Sequence, residues 1–372
     1  MCLSKSKGKF LRFLQCRPLH VQIYTVLFVL FLLGFVVFSC KRWPSPHVFT
    51  HSERTRFHHY SEDLRCPAVD WATVPDIIPE VWKSSTKFFS VKGDITSFTL
   101  ALPPPQSLYI TEHMEITGGL WAPIQTLIFI HVLTSPKVKH AACLVVDVGA
   151  NVGYFSHLAL SLEFDVVAFE PQSRALPYLG ASYRENKKTN RFQLYPCAVG
   201  STRAFVLMEN STHWEVSKVS STSVESSSPR HPSSTTVPMV LLSDFITSEV
   251  SVAILKINVE GFEKGVMSSL SPAVLRAVRN IVIEVTSDTE SRIVIQKTFA
   301  KEGFFCRQFV ERHSVLDASG NYVPGTQDTL MERVDLGGVL SGFLSPCQDG
   351  GSDNYWLSKD DWPWQCDTPG CS

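Results

Sequence analysis

The chain has 372 residues, of which 44% are hydrophobic and 19% are charged, and its formal net charge is −1 at pH 7. That length accommodates one large domain or two modest ones. Because nucleic-acid-binding proteins commonly present a basic face, the near-neutral charge gives no reason to expect nucleic acid as a partner.

The N-terminal residues have the features of a membrane anchor. A basic segment, residues 1–20, precedes an almost uninterrupted apolar run over residues 21–40. About 20 apolar residues span a bilayer as a helix, and a basic flank favours a cytosolic N-terminus. We therefore expect a cytosolic tail, followed by a single transmembrane signal-anchor that contacts the lipid bilayer. A cleavable signal peptide is the alternative, although its apolar core is usually about 7–15 residues long.

Three segments follow before the first motif. Residues 41–86 are rich in proline, histidine, serine and charge, which is typical of a stem that holds a domain away from a membrane. The alternation of residues 88–102 predicts two short strands. Residues 123–133, PIQTLIFIHVL, predict an apolar helix with proline in its first turn.

The first motif is LVVDVGANVG, residues 144–153. It predicts a buried parallel strand, then a tight glycine loop, then a helix that begins near Tyr154. Gly149 and Gly153 allow the backbone to bend sharply and a ligand to approach it, and the helix N-terminus offers N–H groups to that ligand. Asp147, at the carboxyl end of the strand, lies where open α/β sheets bind their ligands.

The next strand, residues 165–170, ends in an acidic residue. At about twenty positions after a glycine loop, such a residue accepts hydrogen bonds from ribose hydroxyls in dinucleotide-binding and related folds. Glu170 fits that role. The loop differs from the NAD fingerprint G-x-G-x-x-G, because Ala150 and Asn151 follow Gly149.

Strands and helical stretches alternate through the rest of the chain, which predicts a doubly wound, mostly parallel sheet. The Ser/Thr-rich residues 210–236 interrupt it, and they predict a long flexible insertion with a glycosylation sequon at Asn210. The other predicted elements are helices at residues 174–188 and 289–302, and strands at residues 192–198, 252–257, 280–285, 304–310 and, seventh, 329–334.

The second motif is KINVEGFE, residues 256–263, at the carboxyl end of a predicted strand. Together with D-x-G-A-N-x-G and the F-E-P after it, this motif resembles the FkbM-type family of S-adenosylmethionine-dependent methyltransferases, which usually has K-x-D-x-E-G-x-E here. The resemblance implies a class I methyltransferase fold, an α/β Rossmann-like sheet of seven strands with a reversed last pair. We assign residues 87–335 to this domain and residues 336–372 to a C-terminal tail.

The resemblance also implies a site for S-adenosylmethionine. Asn258 departs from the family's aspartate, and an amide cannot serve as a base, so the departure puts turnover in question. Lys256 in an apolar strand needs a partner, for which Glu284 is the candidate, and His157 is expected to be structural. The predicted cofactor-binding residues are Asp147, Gly149, Asn151, Gly153 and Glu170, and the predicted catalytic residues are Asn258, Glu260 and Glu263.

Ten cysteines fit a chain that folds in the secretory lumen, where disulfides persist. We expect Cys143 and Cys197 to be buried as small hydrophobic residues, and the tail residues Cys347, Cys366 and Cys371 to be the better disulfide candidates. No metal site is expected, because the cysteines lack paired short spacings with nearby histidines. The tail tryptophans either pack against the domain or form an exposed glycan-stacking site; they are Trp356, Trp362 and Trp364.

These features predict a membrane-anchored O-methyltransferase that acts on a hydroxyl of a glycan or secreted small molecule. The anchor predicts a single-pass type II protein of the Golgi or endoplasmic reticulum with a lumenal domain. Two alternatives stay open. Asn258 motivates a catalytically silent scaffold, and the anchor-and-stem layout also occurs in type II glycosyltransferases, although many of those need an Asp-x-Asp metal site that is missing here.

Overall fold

The computed structural model describes part of the chain, and all of the described residues belong to one structural unit, Ser45–Ser372. No helix among them is long and apolar enough to cross a bilayer. The predicted anchor at residues 21–40 and the predicted strand at residues 329–334 lie outside them. The described residues are 66–71, 86–92, 95–104, 108–117, 119–139, 144–187, 191–209, 218–221, 234–247, 250–285, 295, 299–310, 314–316, 322–324, 340, 343–347 and 354–360.

The described part contains seven α-helices, sixteen strands and one short 3₁₀ helix, Leu242–Asp244. The helices are α1 Tyr109–Thr117, α2 Pro123–Thr134, α3 Pro136–Lys139, α4 Tyr154–Ser161, α5 Leu176–Asn186, α6 Glu263–Met267 and α7 Pro272–Ala277. The strands are β1 Lys87–Lys92, β2 Ser97–Leu102, β3 Leu144–Val148, β4 Asp165–Phe169, β5 Phe192–Tyr195, β6 Ala198–Val199, β7 Ala204–Glu209, β8 Lys218–Ser221, β9 Ser234–Val240, β10 Val252–Ile257, β11 Val278–Glu284, β12 Phe305–Phe309, β13 Ser314–Leu316, β14 Tyr322–Pro324, β15 Ser345–Pro346 and β16 Asn354–Ser358.

The central sheet has eight strands in the order β15-β12-β16-β11-β10-β3-β4-β5. The last five strands in that order run parallel to one another. β16 lies between β11 and β12 and runs antiparallel to both, and so it reverses the strand direction at that edge. The sheet is therefore mostly parallel, as the alternation of strands and helices predicts.

Side chains of the central strands point alternately into two apolar cores, one on each face of the sheet. Val145 and Ile254 belong to the core that also contains residues of α2, α4 and α5, whereas Val146 and Leu255 belong to the core that contains residues of α7. Because both faces are covered, every residue of β3 and β10 is buried. This explains why the two strands have nearly continuous apolar sequences.

The reversed strand β16 comes from the segment that the sequence analysis assigned to the tail. Trp356 in this strand is 1% exposed, and its indole N–H donates a hydrogen bond of 3.2 Å to Asn280. Trp356 therefore packs in the core, which is one of the two roles considered for the tail tryptophans. Trp362 and Trp364 lie outside the described residues. The central sheet thus extends beyond the predicted boundary at residue 335.

A second sheet, of order β6-β9-β7-β8, includes part of the predicted flexible insertion. β9 begins at Ser234 and pairs antiparallel with β7, and β8 pairs with the other edge of β7. Val206, Val237 and Met239 form a small apolar core in this sheet. The prediction of a flexible insertion is therefore wrong for β8 and for the start of β9, because cross-strand pairing and packing order these Ser/Thr-rich residues.

Two disulfides, Cys66–Cys197 and Cys306–Cys347, connect distant parts of the described chain. Cys197 is buried as predicted, but it is not a free small hydrophobic residue, because it is bonded to a partner 131 residues away in the sequence. Cys347 is disulfide-bonded as expected, although its partner is a strand residue rather than a tail cysteine. Cys143, Cys366 and Cys371 lie outside the described residues.

Candidate functional site

A cavity of about 300 Å³ opens at the carboxyl ends of four parallel strands. Val148, Phe169 and Glu284 end β3, β4 and β11, Asn258 follows β10, and all four residues line the cavity. This edge is where open α/β sheets bind their ligands, and the volume falls at the lower end of the range of small-molecule sites, about 300–1,000 Å³. The cavity is therefore the candidate site.

The glycine loop approaches the loop after β10 too closely for a side chain. Gly149 has a φ of 79°, and a Cβ at this position would lie 1.8 Å from the backbone oxygen of Asn258. The N–H groups of Gly149 and Ala150 donate to the Phe169 carbonyl over 2.9 and 3.0 Å. Gly153, with a φ of 88°, precedes the first residue of α4. Glycine is therefore required at position 149 by both conformation and space.

A buried ion pair between Lys256 and Asp147 holds the glycine loop in place. Lys256 Nζ donates to Asp147 Oδ1 over 3.0 Å and to the Gly149 carbonyl over 2.8 Å. Ser156 Oγ donates to the second Asp147 oxygen over 2.7 Å. Asp147 is fully buried and is not among the residues that line the cavity. It therefore positions the loop, whereas its predicted direct contact with the cofactor stays a prediction.

The predicted Lys256–Glu284 ion pair is wrong. Lys256 lies in register with Asp147 on one neighbouring strand and with Val282 on the other. Glu284 therefore lies two positions beyond the residue that faces Lys256, and its side chain contacts Asn258 instead. The register of the sheet, which the sequence does not specify, selects the partner of the buried lysine.

Glu170 presents a buried carboxylate at the cavity wall, just beyond β4. Its two oxygens accept hydrogen bonds from the backbone N–H groups of Asn151, over 2.7 Å, and Gln172, over 2.9 Å. Burial raises the pKa of Glu170 to about 7, although both N–H groups and the Lys256 charge oppose that shift. Because a carboxylate has about four lone-pair sites, further donors from a ligand have room to bind.

Two of the three predicted catalytic residues line the cavity. Asn258 lines it, and the side-chain amide of this residue donates to Glu284 Oε2 over 3.1 Å. Glu260 also lines it, from a backbone position with a φ of 55°. The structure thus brings Asn258, Glu260 and Glu284 together in the lining of one cavity.

Glu263 and His157 lie outside the cavity lining. Glu263 is 2% exposed, and it accepts hydrogen bonds from the backbone N–H groups of Val259, over 3.3 Å, and Gly261, over 2.9 Å. It therefore shapes the loop that carries the other two residues. Burial lowers the pKa of His157 to about 3, and this ring lies 3.4 Å from the Asn186 amide. A neutral histidine in this position has a structural role.

Aromatic side chains form a further part of the cavity lining, called the aromatic wall here, and the sequence analysis missed it. Tyr109 and His113 on α1 and Trp121 before α2 line the cavity. The His113 and Trp121 rings meet edge to face, with centroids 5.2 Å apart, and the Tyr109 and Trp121 rings do so at 6.2 Å. The available signal was the i, i+4 spacing of Tyr109 and His113, which places both on one side of a helix.

The lining residues fit the cofactor that the resemblance implies. Asn151 Oδ1 and Gln172 Oε1 are buried at the cavity, and no described residue donates a hydrogen bond to either atom. Buried acceptors of this kind normally have a donor, which the amino groups and hydroxyls of S-adenosylmethionine can provide. Among the described lining residues there are three glutamates, Glu170, Glu260 and Glu284, and one lysine, and this excess of carboxyl groups suits a cationic sulfonium. Among the described residues there is no cluster of His, Cys, Asp and Glu that could hold a metal ion.

Residues 147–323 match the Methyltransferase FkbM domain. No curated protein matches the chain at a significant level. Among solved structures, the methyltransferase FkbM from Methylobacillus flagellatus KT is 17% identical over 39% of this chain, with a TM-score of 0.28, and the match spans only 33% of that protein.

Two further structures align with more of the chain. The precorrin-6y C5,15-methyltransferase from Geobacter metallireducens GS-15 is 11% identical, with coverage of 62% of this chain and 85% of that one and a TM-score of 0.31. The human methyltransferase 10 domain containing protein is also 11% identical, with coverage of 68% and 93% and a TM-score of 0.32. The domain match begins at Asp147, within the first motif, and includes the whole of the second motif. Over residues 147–323, the chain is therefore similar to the Methyltransferase FkbM domain.

Proposed function

We propose that the chain is a membrane-anchored, S-adenosylmethionine-dependent O-methyltransferase that acts on a hydroxyl of a glycan or a secreted small molecule. The observation that carries this proposal is the buried Glu170 carboxylate at the cavity wall, held by the backbone N–H groups of Asn151 and Gln172. In this position it can accept hydrogen bonds from the two hydroxyls of a ribose. The domain family supports methyl transfer, and the cavity supports a nucleoside ligand.

Several lining residues would hold the cofactor. Glu170 would accept from the ribose hydroxyls, and the buried oxygens of Asn151 and Gln172 would accept from amino groups. When bound, S-adenosylmethionine supplies a methyl group on a positively charged sulfur, from which an acceptor oxygen can take it. The Lys256–Asp147 pair keeps the glycine loop in place, so that the cavity is shaped before the cofactor arrives.

The aromatic wall supports an acceptor with a flat or apolar face. Tyr109 is 48% exposed, and Trp121 lies beside it at the cavity. Aromatic rings of this kind pack against the apolar faces of sugars and of small cyclic molecules. The lining carboxylates Glu170, Glu260 and Glu284 would repel an anionic acceptor. We therefore infer that the acceptor is a neutral hydroxyl compound.

Two disulfides support a lumenal location. Disulfides persist in oxidising compartments such as the endoplasmic reticulum, and they are rare in the cytosol. Cys66–Cys197 and Cys306–Cys347 both lie in the part of the chain that follows the predicted anchor at residues 21–40. We infer a single-pass type II protein of the Golgi or endoplasmic reticulum, with the methyltransferase domain in the lumen.

A catalytically silent scaffold is the second candidate, and Asn258 is the observation that favours it. An amide at this position cannot take a proton from an acceptor. A scaffold would bind no acceptor productively, and Asn258→Asp would not restore transfer. The methyltransferase proposal instead requires that another lining group take over that role.

The test is transfer of a tritiated methyl group from S-adenosylmethionine by the full-length protein, purified in detergent with its disulfides intact. Methyl glycosides and protein-linked glycans serve as acceptors, with their sulfated forms as anionic counterparts. We expect label in a neutral acceptor, and loss of that label in Glu170→Ala. The exposed variant Glu185→Gln is the control. Absence of transfer to any acceptor, with cofactor binding intact, would support the scaffold instead.

A further inference from the structure

Glu284 lines the cavity, and Lys256, the cation predicted for it, contacts other groups. It is the last residue of β11, and it lines the cavity beside Asn258. The Lys256 ammonium is bound to Asp147 and to the Gly149 carbonyl, on the other side of β10. Glu284 is therefore a carboxylate at the carboxyl end of a central strand, and it accepts a hydrogen bond from the Asn258 amide.

The Asn258 amide fixes the direction of that carboxylate. Its Nδ2–H group donates to Glu284 Oε2 over 3.1 Å. Asn258 is itself held by the sheet, because its backbone N–H donates to the Val148 carbonyl over 3.1 Å. A carboxylate at the end of a central strand, oriented by a side chain that directly follows the next strand, is better positioned than one on a loop.

We propose that Glu284, oriented by the Asn258 amide, accepts the proton that the acceptor hydroxyl loses during methyl transfer. This inference rests on the proposed methyltransferase function. The acceptor oxygen forms its bond to the methyl carbon as the carbon–sulfur bond breaks, and the electron pair of that bond stays on sulfur. The hydroxyl proton moves to the Glu284 carboxylate, which returns it to water after the product leaves. Asn258 is a positioning residue in this scheme.

The arrangement explains why an amide at position 258 is compatible with turnover. Two carboxylates about 3 Å apart do not both ionise, because each raises the pKa of the other. An amide in contact with Glu284 instead stabilises the ionised form by donating to it. In this scheme Glu284 supplies the base and the Asn258 amide orients it, whereas the amide alone could not act as a base.

The neighbouring groups of Glu284 define the controls. The adjacent residue on β16, Asn354, is neutral. Glu260 is the competing base, because it lines the same cavity from the loop after β10. Among the described residues, the other titratable groups that line the cavity are Glu170, Lys256, Tyr109, Tyr154 and His113.

The first test measures protonation without turnover. The ¹³Cδ signal of Glu284 is assigned in labelled full-length protein by its loss in Glu284→Gln. We expect Glu284 to be ionised at pH 7. We also expect Asn258→Asp to raise the pH at which Glu284 titrates by more than about one unit, because the two carboxylates then share a proton. A Glu284 that carries a proton at pH 7, or that does not respond to Asn258→Asp, would overturn the inference.

The second test compares Glu284→Gln with Glu260→Gln in transfer to neutral methyl glycosides. We expect Glu284→Gln to lower kcat at least about 100-fold and to change the affinity for S-adenosylhomocysteine less than about threefold. The double variant Asn258→Asp/Glu284→Gln, which exchanges the two groups, should recover part of kcat. A loss of kcat in Glu260→Gln alone would overturn the inference. Failure of the wild-type protein to bind S-adenosylhomocysteine would refute the proposed function instead, whatever Glu284 does in the protonation test.

Discussion

The pKa of Glu170 makes cofactor binding depend on pH in a predictable direction. Burial raises this pKa to about 7, so that the carboxyl group is partly protonated at neutral pH when the cavity is empty. The hydroxyls of a bound ribose donate hydrogen bonds, and so they favour the ionised form. We therefore expect S-adenosylhomocysteine to bind more tightly as the pH rises through 7, and to show no further gain once Glu170 is ionised.

The size of the effect follows from the ionised fraction. If only the ionised form binds, affinity should increase roughly 30-fold between pH 5.5 and pH 8.5, because a group that titrates near 7 is about 3% ionised at the lower pH and about 97% at the higher. The empty protein should show the opposite trend. Because folding raises the pKa of Glu170 from 4.5 to about 7, the protonated carboxyl group contributes about 3 kcal/mol to the free energy of unfolding below pH 4.5. This contribution is lost as the pH rises through 7.

The assay is isothermal titration of S-adenosylhomocysteine into the full-length protein at pH 5.5, 7.0 and 8.5. Glu170→Gln should bind weakly and without this pH dependence, because an amide does not ionise. Glu185→Gln removes the same charge from an exposed position on α5, and it should behave as wild type. A wild-type affinity that stays constant across the three pH values would refute the assignment of Glu170 to the ribose.

Three further predictions test the parts that support the site. Gly149→Ala should abolish cofactor binding, because its Cβ would lie 1.8 Å from a backbone oxygen. Gly303 also has a positive φ but lies in open space, and so Gly303→Ala should lower the free energy of unfolding by only about 1 kcal/mol. Lys256→Met should lower the free energy of unfolding in urea by about 3–5 kcal/mol, since it leaves a buried carboxylate unpaired, while the exposed Lys301→Met should have little effect. Cys66→Ser removes a disulfide, and so it should lower the free energy of unfolding by about 2–5 kcal/mol and lower the Tm in a thermal melt. An unchanged Tm would argue against the disulfide.

The sequence predicted the parts of the site that short-range patterns encode. The apolar run before Asp147 and the acidic residue that follows β4 place two carboxylates at strand ends, and the structure has both residues there. The bounds of α2, β4 and β10 also agree closely with the patterns that predicted them. Local periodicity and turn chemistry carry this information, and so no long-range contact is needed to obtain it.

The errors concern contacts between distant segments. The partner of Lys256 depends on strand order and register, and two neighbouring strands each offered a carboxylate. The bond of Cys197 to Cys66 depends on how the segment before the domain lies along β5, where the Val69 N–H donates to the Leu194 carbonyl over 2.7 Å. Neither choice leaves a local signal in the sequence.

The aromatic wall shows the same limitation. Tyr109, His113 and Trp121 precede the glycine loop by more than twenty positions, and no motif connects them with it. They reach the cavity because α1 and the start of α2 pack beside the sheet. The part in acceptor binding that we propose for them could be inferred only after the fold placed them in the same cavity as Glu284 and Glu260.

The central claim is that this cavity binds S-adenosylmethionine through Glu170. The most direct measurement is equilibrium binding of labelled S-adenosylhomocysteine to the full-length protein, with unlabelled S-adenosylmethionine or UDP-galactose as competitor. We predict saturation at one site per chain, displacement by S-adenosylmethionine but not by UDP-galactose, and loss of binding in Glu170→Ala. Absence of binding, displacement by the nucleotide sugar, or undiminished binding in Glu170→Ala would contradict the claim.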